Sequence, residues 1–243
     1  MANPRTVVIT GCSRGIGFGI LNHLAQSHTC KFVIGIARNE KDVEELGLKF
    51  KDNPKVSIMR GDVTDKRAMF AVAAQVRASG HTPDLLICNA GILTEPRSFD
   101  QIPVGDLERT LQVNLIGCFN TMRAFLPQMR NIEGAVMANV SSGWGLFGSA
   151  GEATYCASKH ALEGLVKCAA EDVATDPISI VTVRPGVVCT DLLATACGGK
   201  DKAKVRGIPV ERFAEPFCDK VMAITKQHSG THVDCSYKGP IDW

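Results

Sequence analysis

The chain has 243 residues, 45% hydrophobic and 21% charged, with a formal net charge of +2. This is the length of one large domain with an ordinary globular composition. The near-neutral balance without a basic run argues against nucleic-acid or polyanion binding, and no apolar run approaches the ~20 residues that span a bilayer. Ten cysteines are scattered singly, without a C-x-x-C pair, and are expected to be reduced thiols of a cytoplasmic protein. His23, His28, His81, His160, His228 and His232 show no metal-ligand spacing, so no metal is expected. The N-terminus runs straight into a strand and leaves no room for a targeting segment.

Thr6–Thr10 is a short β-branched run of the kind that forms a buried parallel strand. It is followed by Gly11, Cys12, Ser13, Arg14, Gly15, Ile16 and Gly17, and then by a helical pattern to about Gln26. Strand, Gly-rich turn and helix is an arrangement in which backbone N–H groups and a helix N-terminus receive a phosphate. The second strand, Lys31–Ala37, ends on Ala37 and is followed by Arg38. A dinucleotide fold that selects NAD carries a carboxylate there. Ala37 with two nearby cations, Arg14 and Arg38, favours the 2′-phosphate of NADP.

The pattern repeats: a charged helix over Lys41–Lys49, a strand ending before Asp62–Val63, a helix from Lys66 to about Ala78, and a strand ending in Asn89–Ala90–Gly91. Alternation of this length implies a parallel sheet covered on both faces, with ligands beyond the carboxyl ends of the strands. A long helical stretch over Val104–Met129 carries Asn114 in an apolar context, which requires a partner or a distortion. A strand over 135–140 then delivers Ser141 and Ser142 to the same edge.

From Ala153 onward the sequence is helical, so Tyr155 and Lys159, four residues apart, share a face. An ammonium beside a phenol favours the phenolate and makes the tyrosine a usable acid or base, and a hydroxyl such as Ser142 can hold a carbonyl oxygen. The strand over 178–184 leads into Pro185, Gly186, Val187, Val188, Cys189 and Thr190. A helix near Pro209–Lys226 and a short strand near Thr231–Cys235 complete the chain. No linker or internal repeat divides it.

Together these residues resemble the short-chain dehydrogenase/reductase family over nearly the whole length: T-G-x-x-x-G-I-G at Thr10–Gly17, N-A-G at Asn89–Gly91, Asn114, Ser142, Tyr155, Lys159 and P-G-x-x-x-T at Pro185–Thr190. The resemblance implies a single α/β domain of Rossmann type, a doubly wound parallel sheet of about seven strands with helices on both faces. Its cofactor-binding part would run to about residue 140 and its catalytic and substrate part from 141 to 243. It also implies roles. Tyr155 exchanges a proton with the substrate oxygen during hydride transfer, and Lys159 holds the nicotinamide ribose and lowers the Tyr155 pKa. Ser142 orients the carbonyl, and Asn114 holds a water leading from Lys159 to solvent. Val188 and Thr190 fix the carboxamide, Asp62 and Val63 meet the adenine, and Gly11, Ser13, Gly15, Ile16 and Gly17 form the phosphate turn. The cofactor is NADP(H), and a homodimer or homotetramer is expected, packed through the helices of 104–129 and 153–173.

The segments around Ser141–Gly145, Tyr155–Leu165 and Pro185–Thr195 are further similar to NADPH-dependent pterin aldehyde reductases and related carbonyl reductases. Trp144 is placed either to stack on a flat substrate or to pack beneath the substrate loop. Several positions depart from the commoner pattern. Cys12 stands where the family often has Ala, and Cys189 lies beside the expected nicotinamide position. The tail Cys235–Gly239 replaces a Gly-Gly pair and is expected to close the site differently. Leu192–Ile208, Gly- and Lys-rich without periodicity, is expected to be a mobile loop that orders on binding and leaves a fairly open site. The leading function is reduction of a small aldehyde or ketone with NADPH, a pterin or other aromatic aldehyde among the candidates. An NADP-linked alcohol or steroid dehydrogenase acting oxidatively is the alternative in the same fold, and a non-catalytic NADPH sensor or scaffold the alternative of another class.

Overall fold

Short, nearly continuous apolar runs become the strands of one sheet in the computed structural model, which describes residues 5–236. The strands are β1 (Arg5–Thr10), β2 (Cys30–Ala37), β3 (Val56–Arg60), β4 (Leu85–Cys88), β5 (Val136–Val140), β6 (Ser179–Arg184) and β7 (His232–Asp234). All pair in parallel, in the order β3-β2-β1-β4-β5-β6-β7. The order reverses between β1 and β4, and a crevice opens beyond the carboxyl ends of these two strands.

The helices are α1 (Gly15–Gln26), α2 (Glu40–Lys49), α3 (Lys66–Ala78), α4 (Val104–Leu111), α5 (Gly117–Met129), α6 (Ala153–Asp172), α7 (Asp191–Cys197), α8 (Lys200–Arg206) and α9 (Val210–Met222). Strand side chains alternate between two cores. Val7 and Ile9 join Leu21, Leu24, Phe213 and Phe217 of α1 and α9 on one face. Val8 joins Met69, Val76, Phe125, Leu162 and Val166 of α3, α5 and α6 on the other. This is the single-domain, doubly wound architecture that the sequence implies. No helix among the described residues is long and apolar enough to cross a membrane.

Two stretches differ from expectation. Val104–Met129 is interrupted by a π-helical turn over Gln112–Ile116, with Asn114 at its centre. The segment expected to be a mobile loop, Leu192–Ile208, instead folds as α7 and α8. Thr190 caps α7 by accepting from the Leu193 N–H at 3.2 Å, and Gly198, in the left-handed region at φ +71°, ends it. Periodicity was silent because α7 buries no residue and α8 buries only Ala203. The tail from Tyr237 onward, where the Gly-Gly pattern is lost, lies outside the described residues.

Candidate active site

The crevice is a cleft of about 530 Å3 running across the sheet edge. At its base the β1 and β4 turns are tied together. The Thr10 hydroxyl accepts from the N–H groups of Asn89 and Ala90, both at 3.1 Å, and the Asn89 side-chain amide donates to the carbonyls of Thr10 and Gly11, both at 3.0 Å. Gly11 is required by this contact. Its φ is +67°, and a Cβ there would lie 2.8 Å from the Ala90 Cα.

Gly11, Ser13, Arg14, Gly15, Ile16, Ala37, Arg38, Asp62, Val63, Asn89, Ala90, Gly91, Pro185, Gly186, Val188 and Thr190 all line the cleft, as do Ser142, Trp144, Tyr155 and Lys159. Gly17 does not. It is buried behind the turn, where a Cβ would lie 2.2 Å from the Gly11 carbonyl oxygen, so this glycine serves close packing of helix on strand. Asn114 is also off the cleft surface and 1% exposed.

The dinucleotide that the fold implies can be tested against these residues. Helix α1 begins with no side-chain cap and no acidic residue in its first turn, so its leading N–H groups remain available to an anion. Among the described residues the guanidinium of exposed Arg14 has no hydrogen bond or ion pair, and that of Arg38 has only a 3.3 Å bond to the Asn39 side chain. These features fit a pyrophosphate and an additional phosphate at that end. Asp42 also reaches this end of the cleft, where it accepts from the Asn39 amide at 3.3 Å. Sequence reading missed both residues, because Asn39-x-x-Asp42 reads as an ordinary helix start.

Cys12 points the other way, fully buried against Gly35, where a Cβ would lie 2.8 Å from its Sγ. Burial pushes its thiol up to about 12. Cys189 likewise turns away from the cleft, toward a neighbouring cavity of about 290 Å3 beneath α7 and α8. The Thr190 hydroxyl is engaged as the α7 cap and at 3.4 Å with the Val188 carbonyl.

At the other end, α6 delivers Tyr155 and Lys159 from one face. The Ser142 hydroxyl, which accepts from the Trp144 N–H at 3.2 Å, lines the cleft with Tyr155, and Lys159 Nζ donates to the Val140 carbonyl at 2.8 Å. The lysine ammonium lies 5.4 Å from the Tyr155 ring centre. The expected lowering of the Tyr155 pKa is not found. Burial pushes the phenol well up, the Ser142 hydroxyl opposes this, and Glu152 adds to the rise. Lys159 itself is lowered to about 8 by burial, against the raising influence of Cys118 and Glu163.

Asn114 has the partners its burial demands. Its carbonyl oxygen accepts from the Ile92 N–H at 2.8 Å, and its amide donates to the Ile92 carbonyl at 2.9 Å and to Ser158 Oγ at 3.0 Å. Both donors are used, while the oxygen keeps one lone pair. A Cβ on Gly91 would stand 3.4 Å from that oxygen and 3.9 Å from Lys159 Nζ, so glycine leaves a gap between them. Trp144 is half-buried and edge-on to Tyr155, ring centres 5.9 Å apart at 82°, and it lines the cleft with Phe147. From α7, Leu192, Leu193 and Ala196 form the facing wall.

A strand–glycine turn–helix unit and a Ser–Tyr–Lys group at opposite ends of one cleft define a nucleotide-dependent oxidoreductase class, and the comparisons agree. The profile described as short chain dehydrogenase matches residues 5–199, and the chain belongs to that family. It is 33% identical over 196 residues to the NADPH-dependent pterin aldehyde reductase of Arabidopsis thaliana, covering 80% of this chain and 79% of that one. It is 31% identical over 215 residues to a 3-oxoacyl-(acyl-carrier-protein) reductase of Rickettsia conorii, covering 87% and 84%. Among solved structures, NADPH-bound carbonyl reductase from chicken fatty liver superposes with a TM-score of 0.82 at 28% identity, over 96% of this chain and 97% of that one.

Proposed function

We propose that this chain is an NADPH-dependent reductase of small carbonyl compounds, flat aromatic or heterocyclic aldehydes foremost. The observation that carries the reading is one continuous cleft. It presents Arg14 and Arg38 beside the acid-free end of β2, and Ser142, Tyr155 and Lys159 at its far end. The names of the pterin aldehyde reductase and of the chicken carbonyl reductase support the cofactor and the substrate class. In this reading the residues up to about 140 bind the cofactor and those from 141 carry substrate and chemistry.

The α1 N-terminus with Ser13, Gly15 and Ile16 would hold the pyrophosphate, and Arg14 and Arg38 the 2′-phosphate. Asp62 and Val63 would hold the adenine, Asn89, Ala90 and Gly91 would wall the ribose side, and Lys159 would bond the nicotinamide ribose. Pro185, Gly186 and the Val188 backbone would seat the carboxamide; the engaged Thr190 hydroxyl serves α7 first. NADPH, when bound, supplies the hydride.

The chain's own residues handle the proton. The Ser142 hydroxyl orients the substrate oxygen. Tyr155, kept protonated by its burial, donates its phenolic proton to that oxygen. Lys159, with its pKa at about 8, is charged at neutral pH and faces the phenolate that forms. A water in the gap at Gly91, donating to the Asn114 side-chain oxygen, would return a proton toward Lys159. Trp144 and Phe147 exclude solvent from one side and offer aromatic faces to a planar substrate, the stacking role for Trp144.

A complete Asn114, Ser142, Tyr155 and Lys159 set speaks against a non-catalytic sensor. Ten unpaired thiols support a cytoplasmic setting. Half-exposed Leu107, Ile116 and Phe119 along α4 and α5, with more exposed Val104, support self-association through that face as a dimer or tetramer.

The test is NADPH oxidation against a carbonyl panel that contains a pterin carboxaldehyde, benzaldehydes, a quinone, a dicarbonyl and a ketosteroid. Turnover of the planar aldehydes supports the reading. Tight NADPH binding without turnover of any member would return the weight to a sensor.

A further inference from the structure

Behind the cleft lies a buried ion pair that proton and hydride transfer do not use. Glu163 sits one helical turn beyond Lys159 on the same face of α6, and both are buried, 8% and 4% exposed. Two nitrogens of Arg184, Nε and Nη2, donate to Glu163 Oε1 at 3.2 and 3.1 Å. The Thr182 hydroxyl donates to Oε2 at 2.8 Å. Arg184 is the last residue of β6 and leads directly into Pro185–Thr190.

The short turn after Ser142 is seated on the same group. A Cβ on Gly145 would lie 3.3 Å from Glu163 Cγ and 3.3 Å from the Lys159 carbonyl oxygen. One side chain of the Tyr–Lys helix thus packs its methylene stem beneath the turn that follows Ser142 and ties its carboxylate to the strand end that walls the cleft. A buried ion pair contributes little to stability compared with apolar side chains of similar volume, so its placement calls for another reason.

We propose that Glu163 is a positioning residue for the Tyr155–Lys159 pair: clamped by Arg184 and Thr182, its carboxylate is the fixed counter-charge behind Lys159 and locks α6 to the strand end entering Pro185–Thr190. The importance given to Lys159 rests on the reading above; the electrostatic claim does not. Lys159 makes one hydrogen bond, to a neutral carbonyl, in a site where burial works against its charge. The titratable or charged groups around it are Tyr155 and Glu163 on α6, Cys118 on α5 with Cys88 beyond it on β4, and Arg184 on β6. Glu163 is the carboxylate among them.

The experiment follows the Lys159 Cε resonance against pH in cofactor-free protein labelled with 13C-lysine, with Lys159→Met for assignment. The variants are Glu163→Gln, Arg184→Gln and the double Glu163→Gln/Arg184→Gln. The double variant replaces both buried charges with neutral amides and so guards against failure to fold. We expect the Lys159 midpoint to fall by about one pH unit, tenfold in proton affinity, in Glu163→Gln, not to fall in Arg184→Gln, and in the double variant to lie below that of Arg184→Gln, with a smaller net fall because a cation is removed as well. The alkaline decline of turnover should move by the same amount. A midpoint unchanged in folded Glu163→Gln, or no lower in the double variant than in Arg184→Gln, overturns the proposal. Because the titration needs no substrate, a chain that reduces no carbonyl yet shows the shift would refute the proposed function and leave this inference standing.

Discussion

In the proposed function the proton falls to one side chain, Tyr155, and the reading of the 2′-phosphate to another, Arg38. At the nucleotide end, Arg14 and Arg38 are exposed and lack carboxylate partners, so a phosphate there meets cations that are already free to bind it. Each charge-assisted bond to such a phosphate contributes about 1.5–3 kcal/mol. Replacing Arg38 with Asp should therefore raise the KM for NADPH roughly tenfold to a hundredfold and leave that for NADH unchanged or lower. Equal effects on the two cofactors would mean that Arg38 does not read the 2′-phosphate. Asp42 belongs to the same neighbourhood, and its bond to Asn39 keeps that acid directed along the helix start.

At the scale of elements, the sheet was legible because most strands are short apolar runs and the ends of β1, β3, β4 and β5 carry a Gly, Asp, Asn or Ser that a cleft needs. The Asn114 problem was also legible, since an amide in an apolar helix demands partners; the π-helical turn that supplies them was not, because it depends on Ile92 and Ser158 arriving from elsewhere in the chain. Helices α7 and α8 were hidden for lack of a buried stripe, and Glu163 on α6 was hidden because its partners Thr182 and Arg184 lie on β6. The Cys12 departure has a packing answer that sequence cannot give: Gly35 in β2 vacates the space its sulfur fills. Cys12→Ala should lower stability by about 1 kcal/mol, the cost of a small unfilled cavity. Adding Gly35→Ala should recover part of it, because the new methyl takes up space that the sulfur leaves while Ile58 Cδ1 and Leu21 Cδ2, at 3.1 and 3.3 Å from it, must shift slightly. Chemical denaturation of the four members of this cycle gives the coupling, and strictly additive losses would show that the two sites are independent.

At the scale of the molecule, the thiols set the response to alkali. Burial raises Cys12 to about 12, Cys30 to about 11 and Cys235 to about 12, and raises Cys156, Cys218 and Tyr155 as well, while Cys88 is raised first by the neighbouring Cys118 thiol and then by burial. Each of these groups keeps its proton in the folded chain at a pH where the unfolded chain has lost it. Their contribution to stability is therefore complete below about pH 8.5–9, the unfolded thiol value, and is lost as pH rises toward the folded values. Lys159 works in the opposite sense, since its folded value of about 8 lies below the ordinary lysine value of 10.5, but it is one group against seven. The denaturation midpoint should hold up to about pH 9 and fall steadily above it. A midpoint flat to pH 11 would contradict the burial of these thiols.

The most direct test of the central claim is carbonyl-dependent NADPH oxidation by the native chain and by Tyr155→Phe, measured beside NADPH binding. The account predicts turnover of planar aldehydes by the native chain, a loss of about 10²–10⁴-fold in the variant, and binding of NADPH by both. Native-like turnover in Tyr155→Phe, with binding intact, would remove Tyr155 as the proton donor and contradict the mechanism.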